Sequence, residues 1–234
     1  MADAHEHHDH GGARHDHGNE HPDQSNEHPD QSNEHPDQSN EHVNHGHEHE
    51  HHHQLSYEDA IAEFRADKDR FFRSAPNSPI PEAEREAFEG LPYYPIDPSL
   101  RYDELLLESY AGDEPVSFEI PTSDGRTRAA ERAGVFHFPV SGAEQTLTAY
   151  VFEGDGNDSL FVPFVDATGS SETYGAGRYL DIEREEDGTY SIDFNLAYHP
   201  SCVYDMKFSC PLTPAENRLS VPIRAGERLA PAPD

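Results

Sequence analysis

The sequence of 234 residues contains no tryptophan, only two cysteines and two methionines, and no long apolar segment. A helix that spans a membrane needs about 20 consecutive apolar residues, so the lack of such a run argues against a transmembrane helix. The sequence Met-Ala-Asp-Ala-His-Glu at its start also lacks the basic and apolar regions of a secretory signal. We therefore expect a cytoplasmic protein, in which the cysteines are thiols rather than a disulfide.

Basic residues are scarce as well, because 16 lysines and arginines face 47 aspartates and glutamates, which gives a net charge of −31. The first 53 residues carry −12 of this charge, and the remaining 181 carry −19. Such a chain repels phosphate groups and anionic lipids, which argues strongly against nucleic acids and membranes as partners. The acidic excess, with Lys68 and Lys207 as the two lysines, is typical of proteins from extreme halophiles. An ordinary acidic protein is the alternative.

Histidines are concentrated near the start of the chain, where 16 of the 18 lie between His5 and His53. Residues 19–39 are three copies of Asn-Glu-His-Pro-Asp-Gln-Ser, and a fourth copy begins at Asn40. A period of seven suggests a coiled coil, but the copies contain no apolar residue except proline, which breaks helices. We therefore predict a disordered tail over residues 1–54, one domain over residues 55–229 and a proline-rich end over residues 230–234.

The densest part of this tail predicts metal binding. Imidazole is a common ligand for Zn²⁺, Ni²⁺ and Cu²⁺, and a flexible chain can present several imidazoles at once as weak, exchangeable sites. The expected ligands are His42, His45, His47, His49, His51, His52 and His53. Transition-metal ions are thus the predicted partners and the possible cofactors of the tail. The alternative is a repeat expansion without function, attached to a structural or regulatory module.

The pattern of apolar residues after the tail predicts one helix followed by β-structure. Ser56 and Asp59 form a capping-box start for an amphipathic helix over residues 57–73. From Tyr93 onward the apolar period is two, with glycine-containing turns at hairpin spacing. Strands are predicted near residues 100–110, 116–120, 126–138, 146–153, 160–165, 174–185, 190–196 and 220–224. The expected fold is mainly β, an antiparallel β-sandwich or barrel-like sheet with one N-terminal amphipathic helix.

The turn at Gly188 predicts a strand register. A three-residue loop with Gly188 in the left-handed conformation places Ile182 opposite Ile192, which forms a consistent apolar face. The same register places Asp181 directly opposite Asp193. Because like charges destabilise a sheet at such positions, we expect an arginine, a cation or a shared proton to neutralise this pair.

Polar residues crowd the same strands and are the candidates for a site that binds a ligand or performs chemistry. They are Asp166, Glu172, Tyr174, Arg178, Asp181, Asp193 and Asn195. Arg178 falls on the apolar face, so we expect it to pair with Asp166 or Glu172. A hydrolase-type active site, a site for a small-molecule ligand and a salt-bridge network that fixes the register all remain open.

Two further groups of residues have weaker signals. His199, Cys202 and Cys210 supply three potential metal ligands, but a structural zinc site needs a fourth, so buried thiols are the commoner interpretation. His137 alternates with Phe136 and Phe138, which predicts a solvent-exposed side chain.

Several long motifs together resemble one family of bacterial and archaeal proteins. The motifs are Phe161-Val-Pro-Phe-Val-Asp-Ala-Thr168, Glu172-Thr-Tyr-Gly-Ala-Gly-Arg-Tyr-Leu-Asp181, Asp193-Phe-Asn-Leu-Ala-Tyr198, Ser209-Cys-Pro-Leu212, Glu216-Asn-Arg-Leu219, Lys68-Asp69 and Ile223-Arg-Ala-Gly-Glu227. Over residues 56–229 the chain resembles the domain-of-unknown-function family sixteen eighty-four, as a haloarchaeal-type member. The resemblance implies kinship and domain limits but no reaction. His199 stands where the family has asparagine, which weakens a mechanism built on this histidine.

The acidic composition makes folding a test of the halophilic interpretation. We expect the refolding yield after denaturation to rise from low to multimolar KCl, because salt screens the repulsion among carboxylates. Near-UV circular dichroism of the refolded fraction measures this yield. Full recovery of the native signal without added salt would contradict the interpretation.

Overall fold

The structure, a computed structural model, describes residues 55–154 and 159–230. The predicted tail over residues 1–54 with its proposed metal-binding histidines, residues 155–158 and the last four residues lie outside the described part. All the described residues belong to one compact unit. None of the helices in the described residues is long and apolar enough to cross a membrane.

The N-terminal helix, α1, spans Tyr57–Ser74 and begins as the sequence predicts. The Ser56 hydroxyl accepts a hydrogen bond from the backbone N–H of Asp59, which satisfies one of the free donors at the helix start. Ile61 and Phe72 are buried, whereas Phe64 and Phe71 remain more than 40% exposed. The apolar face of the helix is therefore only partly covered.

Seven strands form two antiparallel sheets in the described part of the chain. The strands are β1 (Arg101–Leu105), β2 (Ser117–Pro121), β3 (Thr127–Val140), β4 (Ala143–Phe152), β5 (Leu160–Phe164), β6 (Arg178–Ile182) and β7 (Tyr190–Asp193). One sheet has the order β2-β3-β4-β5-β6, and the other consists of β1 and β7. Short 3-10 helices span Glu82–Ala87, Pro98–Leu100, Phe194–Leu196, Ser201–Val203 and Ala215–Asn217. The predicted mainly β fold with one N-terminal helix is confirmed.

Both faces of the five-stranded sheet carry a cluster of apolar side chains. Phe136, Leu147 and Val162 belong to the main core, whereas Tyr150 and Phe161 belong to a second, aromatic cluster. A β-bulge between Arg132 and Gly134 contributes to this arrangement, because it changes the face to which alternate side chains of β3 point. The outer face of the sheet, opposite the main core, thereby carries a second, buried cluster of aromatic rings.

The predicted pairing around Gly188 is correct at the turn and wrong beyond it. Gly188 has the left-handed conformation, with φ of 89°, and Arg184 pairs with Tyr190 in the expected register. The strands then separate, because β6 pairs with β5 and β7 pairs with β1. Asp181 therefore lies opposite Phe161, and Asp193 lies opposite Arg101, so the two aspartates do not face each other.

The strand predicted over residues 220–224 is also wrong, since this segment forms no strand within the described residues. The backbone N–H of Ile223 donates to Asp166, and the Ile223 carbonyl accepts from Arg178. Buried side chains thus take the hydrogen bonds that a neighbouring strand would otherwise take.

Candidate functional site

Arg178 of β6 lies at the centre of a buried polar cluster. Its side chain is 1% exposed, and Nη2 lies 3.5 Å from Oδ2 of Asp166, which confirms the predicted pairing. The guanidinium also donates to main-chain carbonyls, at 2.7 Å for Ile223, 2.5 Å for Ala225 and 3.0 Å for Glu227. Asp166 accepts from the Ile223 N–H and the Thr168 hydroxyl. Both charges of this pair are engaged within the protein.

Asp193 and Asn195 form a second, separate cluster. Asp193 accepts hydrogen bonds from the Tyr57 hydroxyl at 2.8 Å and from the Asn195 N–H at 2.9 Å. Burial and the bond to Asp193 raise the pKa of Tyr57. Asn195 also exchanges two hydrogen bonds with the main chain of Asp97, each 2.8 Å long. This cluster joins the start of α1, the segment before β1 and the end of β7.

Glu172 lies apart from both clusters. Nη2 of Arg224 lies 2.7 Å from its Oε1, and the Tyr94 hydroxyl donates to Oε2 at 3.1 Å. The hydrogen bonds from Arg224 lower the pKa of Glu172. The carboxylate is therefore held in a mostly exposed ion pair.

Tyr174 lies near His199 and the two cysteines. Its backbone N–H donates to Nε2 of His199 at 3.2 Å, and burial raises the pKa of its hydroxyl, with Cys202 close by. Both cysteines are free thiols, and Sγ of Cys210 accepts the Cys202 N–H at 3.3 Å. Burial raises the pKa of Cys210 to about 11. Within residues 55–154 and 159–230, no group of three or more His, Cys, Asp or Glu side chains is arranged to hold a metal ion.

The sequence interpretation missed a hub formed by Glu227 and Lys68. Glu227 is 1% exposed and lies 2.6 Å from Nζ of Lys68 in α1. Its second carboxylate oxygen accepts from the His199 N–H at 2.7 Å and from the Tyr204 hydroxyl at 2.9 Å. Both charged residues occur in motifs that carry the family resemblance. Their presence in these motifs was the sequence feature that could have indicated a structural role.

Asp181 differs from the other candidate carboxylates because its side chain is exposed and borders two grooves. It is exposed, and its Oδ2 accepts a hydrogen bond of 2.6 Å from the Tyr198 hydroxyl. On one side lies a groove of 390 Å³ that also includes Arg101, Glu183 and Asp193. Asp181 and Asp193 thus border the same groove, although their strands do not pair.

A second groove, of 280 Å³, lies on the other side of Asp181. We call it the aromatic groove and define it by Arg128, Phe152, Phe161, Tyr179, Asp181 and Tyr198. The nearly buried rings of Phe161 and Tyr179 lie at its base, and its lining also includes an arginine and a carboxylate. The predicted site residues therefore do not form one site but lie in separate clusters. Of these residues, Asp181 lines the aromatic groove.

His137 has the predicted exposed position. Its side chain is 40% exposed, and Nδ1 lies 3.2 Å from Oε1 of Glu144. The imidazole takes no part in the clusters described above.

The fold and the sequence are shared with other proteins. A family model described as "Protein of unknown function (DUF1684)" matches residues 86–228. Among solved structures, the solution NMR structure of an uncharacterized protein of Haloarcula marismortui is 38% identical, with a TM-score of 0.56. That match covers 74% of this chain and 94% of the other. The chain has no match among the curated proteins.

Breaking the buried pair should destabilise the domain strongly. Replacing Arg178 with methionine leaves the Asp166 carboxylate buried without its cation, which we expect to lower the free energy of unfolding by about 3–5 kcal/mol. Chemical denaturation of the full chain measures the loss. Arg224→Met, which breaks the exposed pair with Glu172, is the matched control and should cost much less. Equal losses of unfolding free energy in the two variants would show that burial does not determine how much an ion pair contributes to stability.

His199 should make stability depend on pH. Burial, with the nearby charges of Arg178 and Lys68, lowers its pKa from 6.5 to about 3. The unfolded chain therefore binds a proton between these values that the folded chain does not bind. Between pH 6.5 and pH 4, the free energy of unfolding of the unmodified protein should fall by about 1.4 kcal/mol more per pH unit than that of the His199→Asn variant, which lacks the imidazole. Denaturation between pH 7 and pH 4 tests this.

His137→Asn is the control for this experiment, because it removes an exposed imidazole from the same domain. Comparing this variant with the unmodified protein over the same pH range separates the contribution of His199 from the general effect of removing an imidazole. A curve for His199→Asn that runs parallel to that of the unmodified protein would refute the proposed contribution of His199.

Proposed function

The chain belongs to the family described as "Protein of unknown function (DUF1684)", and we propose that it acts as a binding protein. In this proposal, the β-rich domain is a non-catalytic binding module, and the N-terminal histidines bind transition-metal ions. The proposal of a non-catalytic binding module rests on one observation, which is that most of the candidate polar side chains bind one another. Catalysis needs groups that converge on one concave site, whereas most of the candidate groups bind one another in separate clusters.

The charged candidates support this interpretation one by one. Asp166 holds Arg178, Asp193 holds Tyr57 and Asn195, and both clusters are buried. Carboxylates engaged in this way hold neighbouring segments in position and are poorly placed to exchange protons with a substrate. A structural or regulatory role without a ligand would leave the grooves beside Asp181 unexplained.

The alternative of a hydrolase built on Asp166, Tyr174, Arg178, Asp181 and Asp193 has less support. Asp181 and Asp193 border one groove, but Asp166 and Arg178 lie in the interior. A hydrolytic site needs an activated nucleophile or water beside a general base, and among these five residues Asp181 alone has an exposed carboxylate.

The proposal for the N-terminal histidines rests on ligand density in the sequence. Seven histidines lie within residues 42–53, with glutamates between several of them, and imidazole binds Zn²⁺, Ni²⁺ and Cu²⁺. Acidic residues nearby raise the local concentration of cations. A role in buffering or delivering such ions in the cytoplasm follows from this composition.

Calorimetric titration of the full chain with Zn²⁺ tests the metal proposal. Replacing His42, His45, His47, His49, His51, His52 and His53 with glutamine should remove most of the binding heat at pH 7.5. The control replaces His21, His28 and His35 of the repeats, which should preserve most of it. Binding should also fade below about pH 6, because protonated imidazole cannot coordinate a metal. Unchanged titration of the seven-histidine variant would overturn the proposal.

A further inference from the structure

The two cysteines of the chain lie side by side in the folded domain. Cys202 belongs to the 3-10 helix Ser201–Val203, and its N–H donates to Sγ of Cys210 at 3.3 Å. The two side chains are also in hydrogen-bond contact with each other. We propose that Cys202 and Cys210 form a redox site that reacts reversibly with small-molecule disulfides and closes as a disulfide within the chain. This activity goes beyond the proposed binding role.

The geometry of the pair is close to that of a disulfide. Such a bond needs Cα atoms that lie about 4.4–6.8 Å apart. Sγ of Cys210 already contacts the backbone nitrogen of Cys202, which is bonded directly to its Cα. The turn between β2 and β3 holds Cys210 in this place, because the Cys210 N–H donates to the Ser123 hydroxyl at 3.0 Å and its carbonyl accepts from the Ser123 N–H at 2.8 Å. The bond can therefore form by rotation of the two side chains with a small shift of the seven-residue segment between them.

The two sulfurs differ in exposure, which assigns their roles. Cys202 is partly exposed, whereas Cys210 is 7% exposed. Burial also raises the pKa of Cys210 to about 11, so this side chain is almost entirely a thiol at neutral pH. Because the thiolate is the nucleophile in exchange reactions, Cys202 is the residue that attacks the small molecule. Cys210 then closes the bond from the interior.

Tyr174 provides a hydrogen-bond donor beside the attacking residue. Its hydroxyl is in hydrogen-bond contact with the Cys202 side chain, and burial together with this contact raises the pKa of the hydroxyl. The phenol therefore keeps its proton at neutral pH and can donate it in a hydrogen bond to the Cys202 thiolate. A donor in this position favours the charged, reactive form of the thiol.

The reaction consists of two thiol–disulfide exchanges. The Cys202 thiol gives its proton to the solvent, and the thiolate attacks one sulfur of the small disulfide, which forms a mixed disulfide and releases one small thiolate. Cys210 then gives up its proton and attacks Sγ of Cys202, which forms the protein disulfide and releases the second small thiolate. The two cysteines lose two electrons, which the small disulfide gains, and the two released thiolates take up the protons. An excess of the small thiol reverses both steps.

The test compares the folded and the unfolded chain in the same redox buffers. The full chain, at a KCl concentration at which it is folded, is equilibrated with glutathione disulfide and glutathione, without oxygen and with a metal chelator. Acid quenching, alkylation of the remaining thiols under denaturing conditions and mass spectrometry measure the oxidised fraction. Half-oxidation of the folded chain should need a ratio of disulfide to squared thiol concentration at least about tenfold lower than in guanidinium, because the fold holds the sulfurs together.

Single-cysteine variants test the two roles. Cys210→Ser should accumulate the mixed disulfide on Cys202, because the second thiol that would displace glutathione is missing. Cys202→Ser should form its mixed disulfide at least about tenfold more slowly, since the remaining sulfur is buried and carries the raised pKa. Near-UV circular dichroism checks that both variants are folded.

Three results would overturn the redox site. These are equal midpoints for the folded and the unfolded chain, a folded chain whose oxidation stops at the mixed disulfide, and disulfides that link two chains rather than two cysteines of one chain. Each of these results would leave the proposed metal binding untouched, because the chelator keeps metal ions out of the experiment.

Discussion

A guanidinium that is removed from water must find acceptors inside the protein, and Arg178 finds them in the main chain of residues 223–227. These bonds hold the segment against β6 and carry Glu227 into the interior. Glu227 in turn needs donors, which Lys68 of α1 and the N–H of His199 supply. The positions of three segments therefore depend on the buried Arg178 guanidinium. These segments are α1, the C-terminal segment and the loop after β7.

The acidic excess of the chain has two different physical meanings in the domain. Asp166 and Asp193 lie in the interior, where each is satisfied by specific donors and fixes the position of a segment. Asp181 faces solvent beside an aromatic wall and has one hydrogen bond from Tyr198. The groove beside it also includes Tyr179, whose hydroxyl donates to the Pro211 carbonyl, so part of its lining belongs to the packed interior.

Local signals in the sequence were sufficient for the features that depend on neighbouring residues. The cap at Ser56 and the left-handed turn at Gly188 were predicted correctly, and the burial of Arg178 led to its partner Asp166. Alternation of apolar residues shows which face a side chain takes but not which strand lies beside it, so the separation of β6 from β7 was missed. The role of Glu227 was missed because its donors come from distant segments.

The acceptors of Arg178 also lie late in the chain, 45 to 49 residues after it. A chain growing from its N-terminus can form the hairpin of β3 and β4 early, since those strands are adjacent. The end of β6 cannot become native until residues 223–227 have been synthesised and have closed over the guanidinium. Completion of the interior is therefore a late event in biosynthesis, and the edge of the sheet at β6 stays exposed to wrong partners until then.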